Sequence, residues 1–304
     1  MFRQFINEKI KHPLQGIRGD FQFLLKLRWV NRNFLPVIYT FSRQNDNTGI
    51  FSDLLVYLGA AGIAMQSGGR LFCGGERLLF QFFNPQNRLE RTVLEEETET
   101  IPLQETDICI RPKDSFSFLY GRYQQYYWKK VLESFFPMES SFRQKVEEAA
   151  NTVFAQGIPV LGILYRGTDY RNLQPKGHPV QPDLTEVIKK TEKIMKEKRC
   201  RKIFLATEDK QAADTVQTHF GSDCVMMYQT SLFSQTGEHY LAELYEQEER
   251  KQIAQEYIIS MALLARCRYL IAGRTSGLAG VLLLAKKPFA YKYFWDLGIY
   301  GEKK

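Results

Sequence analysis

The sequence predicts an α/β protein built on parallel sheets, and three observations carry that prediction. Short apolar runs alternate with longer amphipathic stretches, most regularly after residue 158. A run just after Pro36 leads into a polar, glycine-bearing turn and then an apolar stretch. The joints between apolar runs and the stretches after them repeatedly carry Arg, Thr, Ser, Asp or Glu. Alternation on this scale marks βα units, whose crossover helices cover both faces of a parallel sheet.

In the first half, Val37 to Phe41 reads as a strand and Gln44-Asn45-Asp46-Asn47-Thr48-Gly49 as its turn. Ile50 to about Met65 reads as an apolar helix that Gly68-Gly69 ends. Glu95, Glu96, Glu97 and Glu99 suggest a solvated loop or helix start. A break near Pro137 to Ser141 precedes a helical stretch, Phe142 to Gln156, that bridges two domains, taken as 1–150 and 151–304. In the second half the strands are Val160 to Tyr165, Lys202 to Ala206, Asp223 to Tyr228, Tyr269 to Ala272 and Pro288 to Tyr291. The helices are Asp183 to Lys198, Lys210 to Phe220, Glu248 to Arg266 and Gly277 to Ala285. Leu184, Val187, Ile188, Thr191, Ile194 and Met195 make one stripe on the first of these.

Bulk properties narrow the function. A chain of 304 residues with 44% hydrophobic content, 22 Phe and 16 Tyr has ample material for two cores and is unlike a disordered polymer. It has no unbroken apolar run of membrane-spanning length and no signal-peptide pattern at its start, so a soluble, cytoplasmic protein is expected. Cys73, Cys109, Cys200, Cys224 and Cys267 are odd in number and scattered, as small hydrophobes in a reducing compartment would be. Four histidines argue against a multi-histidine metal site.

The net charge of +7 is uneven. Residues 1–34 hold Arg3, Lys9, Lys11, Arg18, Lys26, Arg28 and Arg32 against Glu8 and Asp20, and Phe2, Phe5, Ile6 and Ile10 could share a helical face there. This stretch reads either as a peripheral contact with anionic lipid or as a solvated terminal helix docked on its domain. The basic residues do not interleave with aromatics as in RNA-binding motifs, so no nucleic acid partner is expected.

Parallel sheets bind ligands at the carboxyl ends of their strands. Three such ends carry polar groups: Arg166, Thr168 and Asp169; Thr207, Glu208 and Asp209; and Arg274, Thr275 and Ser276. In Gly273-Arg274-Thr275-Ser276-Gly277, hydroxyls and amides meet at a helix N-terminus, where unpaired donors and the helix dipole favour an anion. The same residues also suit simple helix capping. Arg166 offers a planar donor fork fit for a diphosphate, or a structural bridge to Asp169 or Asp209. No Asp-x-Asp pair occurs in the chain, which favours neutralising a leaving diphosphate with arginine and helix-end donors.

The stretch Arg166-Gly167-Thr168-Asp169 through His178-Pro179 resembles the first motif of the α-1,6-fucosyltransferases, including the N-glycan-core enzymes and the rhizobial Nod-factor enzymes. Ile203 to Asp209 resembles their next motif, and Cys267 to Ser276 their third, in the same order. The chain also resembles uncharacterised bacterial proteins of polysaccharide gene clusters, through Lys176-Gly177-His178-Pro179 and the ending Asp296 to Tyr300.

This resemblance implies a GT-B-like fold of two Rossmann-like domains with a cleft between them. It also implies a GDP-fucose donor, a saccharide acceptor and inversion without a metal or other cofactor. By position it makes Arg166 the arginine on the β-phosphate and places Thr275 and Ser276 on the diphosphate, with Gly277 beside them. Gly167 replaces a second arginine, Leu164 a base-reading histidine and Gln174 a loop glutamate of the core-glycan enzymes. The helix acid that reads the nucleotide has Ser260 at its ungapped position and Glu256 one turn earlier.

His178 suits a general base, a diphosphate contact or a structural loop histidine. Asp169 could orient Arg166 or accept the acceptor's proton, and Glu208 and Asp209 could cap the following helix.

Overall fold

The computed structural model describes residues 37–43, 48–67, 69–86, 99–108, 122–154, 157–228 and 247–302. The basic stretch 1–34, Gln44 to Asn47 and Glu95 to Glu97 lie outside that set. The chain divides into two compact units, Met1–Phe142 and Arg143–Lys304.

The first unit contains β1 (Val37–Phe41), α1 (Ile50–Ser67), β2 (Arg70–Cys73), β3 (Glu99–Pro102) and α2 (Arg122–Phe135). Its sheet has the order β2-β1-β3 with all strands parallel, pairing Ile38 with Arg70 and Val37 with Glu99. β2, β3 and α2 were not legible in the sequence, and Glu99 begins a strand rather than a loop or helix. α1 is apolar almost all round because it is the core helix of this unit, buried continuously from Asp53 to Gly62. Among the described residues it is also the one helix long and apolar enough to cross a membrane, with 72% of that span buried inside the protein. A Cβ on Gly62 would come within 2.7 Å of the Trp128 ring of α2, so glycine is what lets the two helices approach. Tyr57 packs edge-on to Phe41 and Phe80 at 5.0 and 5.1 Å, and burial pushes its phenol up to about 12.

Buried Asp53 ties this unit's carboxyl edge together. One carboxylate oxygen takes Arg43 at 2.6 Å and the Thr48 hydroxyl, and the other takes Arg77 at 2.5 Å. Arg43 follows β1 and Arg77 lies beyond β2, so one acid fixes two strand exits against the start of α1. Removing one member of a buried ion cluster leaves uncompensated charge. Asp53→Ala is therefore expected to lower unfolding free energy by about 3–5 kcal/mol, read by urea denaturation.

The second unit contains α3 (Ser140–Val153), β4 (Val160–Leu164), α4 (Thr168–Leu173), α5 (Leu184–Lys198), β5 (Lys202–Ala206), α6 (Lys210–Phe220), β6 (Val225–Met226), α7 (Gln247–Leu264), β7 (Tyr269–Gly273), α8 (Ser276–Leu284) and β8 (Tyr291–Trp295). The division between units falls inside α3. All five strands are parallel in the order β6-β5-β4-β7-β8, as in a Rossmann half. Leu161, Ile163, Ile203 and Leu205 share a core with Val187 and Ile194 of α5 and Ala213 and Val216 of α6. On the alternate register, a Cβ on Gly162 would press on Leu264 of α7 at 2.9 Å. Helices thus cover both faces, as the alternation predicted.

Two boundaries need correction. The last strand spans Tyr291–Trp295 rather than Pro288 to Tyr291, because its ladder starts where Tyr291 pairs with Tyr269 and Pro288 has no amide to donate. The Asp223 to Tyr228 run yields only Val225–Met226, since residues 222–224 form a turn.

Candidate functional site

The chain runs outward from β4 through β5 to β6, then crosses back to place β7 on the other side of β4. β4 and β7 therefore flank a topological switch point, where such sheets take their ligands. Arg166 follows β4 and Arg274-Thr275-Ser276 follows β7, while Thr207-Glu208-Asp209 leaves β5 beside β4. The second-unit strand ends singled out in the sequence thus lie along three adjacent strands.

Glu208 organises the turn that carries Arg166. Its side chain is 5% exposed, and Oε1 accepts the Gly167 N–H at 2.9 Å, the Thr168 N–H at 3.2 Å and the Thr168 hydroxyl at 3.1 Å. The same oxygen lies 3.6 Å from Arg166 Nε, within ion-pair reach but too long for a hydrogen bond. The Arg166 guanidinium carbon also stands 5.6 Å from the Tyr170 ring centre. Glu208 is thus an ionic neighbour of Arg166 that the sequence did not suggest, and it reaches across to the turn after β4 while Asp209 holds the N-cap of α6. Asp209 accepts the Ala212 N–H at 2.9 Å, and Thr207 Oγ1 accepts the Asp209 N–H at 3.1 Å. A Cβ on Gly167 would sit 2.8 Å from the Cβ of Asp209 and 2.8 Å from Tyr165. The second arginine of the resembling motif has no room here.

At β7, Thr275 is the N-cap of α8, its hydroxyl accepting the Leu278 N–H at 3.1 Å. The backbone ladder begins with Ala279 N–H to the Thr275 carbonyl at 3.3 Å, so the Ser276 and Gly277 amides precede it at the positive end of the helix dipole. A side chain on Gly277 would run into the Tyr257 hydroxyl of α7. Arg274 is ion-paired with Asp296 beyond β8, and its carbonyl accepts Gln181 Nε2 at 3.0 Å.

His178 lies on a loop laced to residues 298–300. Gly177 N–H donates to the Tyr300 carbonyl, Tyr300 N–H to the His178 carbonyl and Val180 N–H to the Gly298 carbonyl, at 2.8 to 2.9 Å. Gln174, Gly177 and Gly298 take positive φ of 43°, 84° and 97° to allow this path. His178 Nδ1 is 3.2 Å from the Tyr170 hydroxyl, and the rings meet edge-to-face. Arg166, Tyr170 and His178 therefore form one contiguous row. Asp169 is the second residue of α4, and its side chain is outside the described residues. Glu256, 1% exposed on α7, accepts Gln252 Nε2 at 3.0 Å through one oxygen, and the other has no hydrogen-bond partner. Burial of the Tyr228 phenol, and after it the Glu256 charge, holds that phenol above its usual range. No three His, Cys, Asp or Glu side chains among the described residues gather into a metal-binding group.

Three contributors were missed in the sequence: Tyr170, Gln181 and Tyr257. Tyr170 lies in α4, four residues after Arg166 in the turn before it, and that closeness in sequence could have flagged it. Buried Gln181 donates to both the Pro179 and Arg274 carbonyls at 3.0 Å, joining the histidine loop to the β7 exit, and nothing in its sequence context signals that.

No family model and no curated protein matches the chain. Solved structures similar to it include fucosyltransferase NodZ from Bradyrhizobium, at 15% identity and TM-score 0.48 over 83% of this chain and 94% of that one. POFUT1 in complex with GDP is similar at 9% identity and TM-score 0.44, over 89% of this chain and 100% of that one. A mutant of Arabidopsis thaliana FUT1 in complex with GDP is similar at 8% identity and TM-score 0.47, over 91% and 74%.

Gly167→Ala is expected to displace Asp209 from its cap and lower stability by about 1–3 kcal/mol, read as a drop in Tm. A mutant as stable as the parent would contradict the tight approach.

Proposed function

We propose that the protein is an inverting, metal-independent glycosyltransferase acting in the cytoplasm, moving fucose from GDP-fucose to a glycan or lipid-linked saccharide in surface polysaccharide synthesis. The observation that carries this reading is the placement of Arg166 and the N-terminus of α8 on the two strands that flank the switch point. The three-motif order in the sequence supports it independently.

In this reaction an acceptor hydroxyl attacks the anomeric carbon as the bond to the β-phosphate oxygen breaks, and GDP leaves. Negative charge grows on the diphosphate. Arg166, held in place by Glu208 and Tyr170, and the Ser276 and Gly277 amides supply fixed positive charge for it. Thr275 keeps that helix end in register through its own cap. His178, positioned through Nδ1 by Tyr170, serves either the acceptor's proton or a diphosphate oxygen.

Arg166→Ala is expected to lower turnover at least about 10²-fold to 10³-fold while the fold persists, because Glu208 keeps its amide and hydroxyl donors. Donor turnover and far-UV dichroism together check this, and a folded variant of near-parental activity contradicts the role.

A second reading keeps the reaction and changes the base. Leu164, buried and apolar at the end of β4, stands where the resembling enzymes carry a base-reading histidine. Thermal-shift titration with GDP, UDP and dTDP separates the two by linkage. GDP is expected to raise Tm most, and a larger shift with UDP or dTDP moves the donor to another nucleotide sugar.

A further inference from the structure

The second unit's sheet is electrically lopsided along its strands. The segments leading into its five strands, residues 157–159, 199–201, 221–224, 265–268 and 285–290, hold Arg199, Arg201, Arg266, Arg268, Lys286 and Lys287, with Asp223 as their acid. All six cations except half-buried Arg266 are exposed. At the opposite edge, where the strands exit, Arg166 and Arg274 are matched by Glu208, Asp209 and Asp296.

Hydrogen bonds set these segments side by side. Cys200 Sγ donates to the Pro159 carbonyl at 3.1 Å, Arg268 N–H to the Val160 carbonyl at 3.1 Å, and Ala290 N–H to the Arg268 carbonyl at 2.9 Å. Lys202 Nζ reaches the Asp223 carbonyl on the outermost turn. Five strands at normal spacing put this row across roughly 19 Å. In its middle Ile158, flanked by Gly157 and Pro159, is 40% exposed. The one carboxylate reaching toward the row from α3, Glu147, is engaged by Arg266 at 2.6 Å and Lys286 at 3.1 Å.

We propose that this strand-entry rim docks the protein on an anionic lipid surface, which leaves the strand-exit edge with Arg166 on the side away from the lipid. Clustered Lys and Arg attract acidic headgroups, and an exposed branched apolar side chain among them can enter the headgroup layer beneath. Nucleic acid is the poorer fit: two of the rim's aromatic rings carry cations, Lys198 at 5.3 Å from Tyr291 and Arg268 at 6.0 Å from buried Tyr269, and so do not lie open for base stacking.

Co-sedimentation of the full chain with vesicles of phosphatidylcholine, alone or mixed with phosphatidylglycerol, tests it. Binding is expected only with the mixed vesicles and should weaken as salt rises. The variant Arg199→Glu/Arg201→Glu/Lys287→Glu is expected to bind them about 10²-fold more weakly, with an unchanged Tm and an unchanged GDP-induced thermal shift. A companion variant reversing Arg3, Lys9 and Lys11 should retain binding better than the rim variant. The proposal is overturned if the parent ignores anionic vesicles at low salt, if the rim variant binds as the parent does, or if only tRNA is bound.

Discussion

One buried carboxylate sets the candidate site. Glu208 leaves β5 and spends a single oxygen on two amides and a hydroxyl of the neighbouring turn, and that turn is what aims Arg166. Its burial is tolerable because three donors and a guanidinium surround it. The bond network also explains Gly167: with the turn drawn this close to Asp209, any side chain would collide. An arginine at the end of a strand is mobile by default, and here it is held from one side by charge and from the other by the Tyr170 ring.

The first unit solves a related problem with the same pairing of acid and arginine. There one acid, Asp53, gathers two arginines from separate strand exits, whereas in the second unit one acid steadies a single arginine. In both, the carboxyl edge of a parallel sheet is knit by long-range ion pairs because strand exits end in irregular backbone that no ladder fixes. The distances differ: Asp53 takes its arginines at 2.6 and 2.5 Å, one on each oxygen, while Glu208 Oε1 stands 3.6 Å from Arg166 Nε.

The sequence disclosed most of the second unit because its main helices run 11 to 18 residues and its central strands are apolar runs. The six-residue α4 was too short to show, and the two-residue β6 too short to delimit. Val160 to Leu164, Lys202 to Ala206 and Lys210 to Phe220 lie where the pattern put them, and Thr275 caps its helix as its position suggested. The first unit was harder. β2 and β3 are four residues each, and a polar Arg70 or Glu99 at the start hides the apolar pattern. Within the site, residue types were legible but partners were not. Glu208 looked like a cap because it precedes a helix, and only three dimensions show it turning 41 residues back along the chain. Gln181 was silent for the same reason, since its bond to the Arg274 carbonyl spans 93 residues.

The lacing of the histidine loop to residues 298–300 bears on how the protein is made. Synthesis is vectorial, and β4, β5 and the Arg166 turn can pair long before Gly298, Ile299 and Tyr300 leave the ribosome. His178 cannot settle against Tyr170 by this route until those residues arrive. A nascent chain therefore carries the sheet before it carries the finished row of Arg166, Tyr170 and His178.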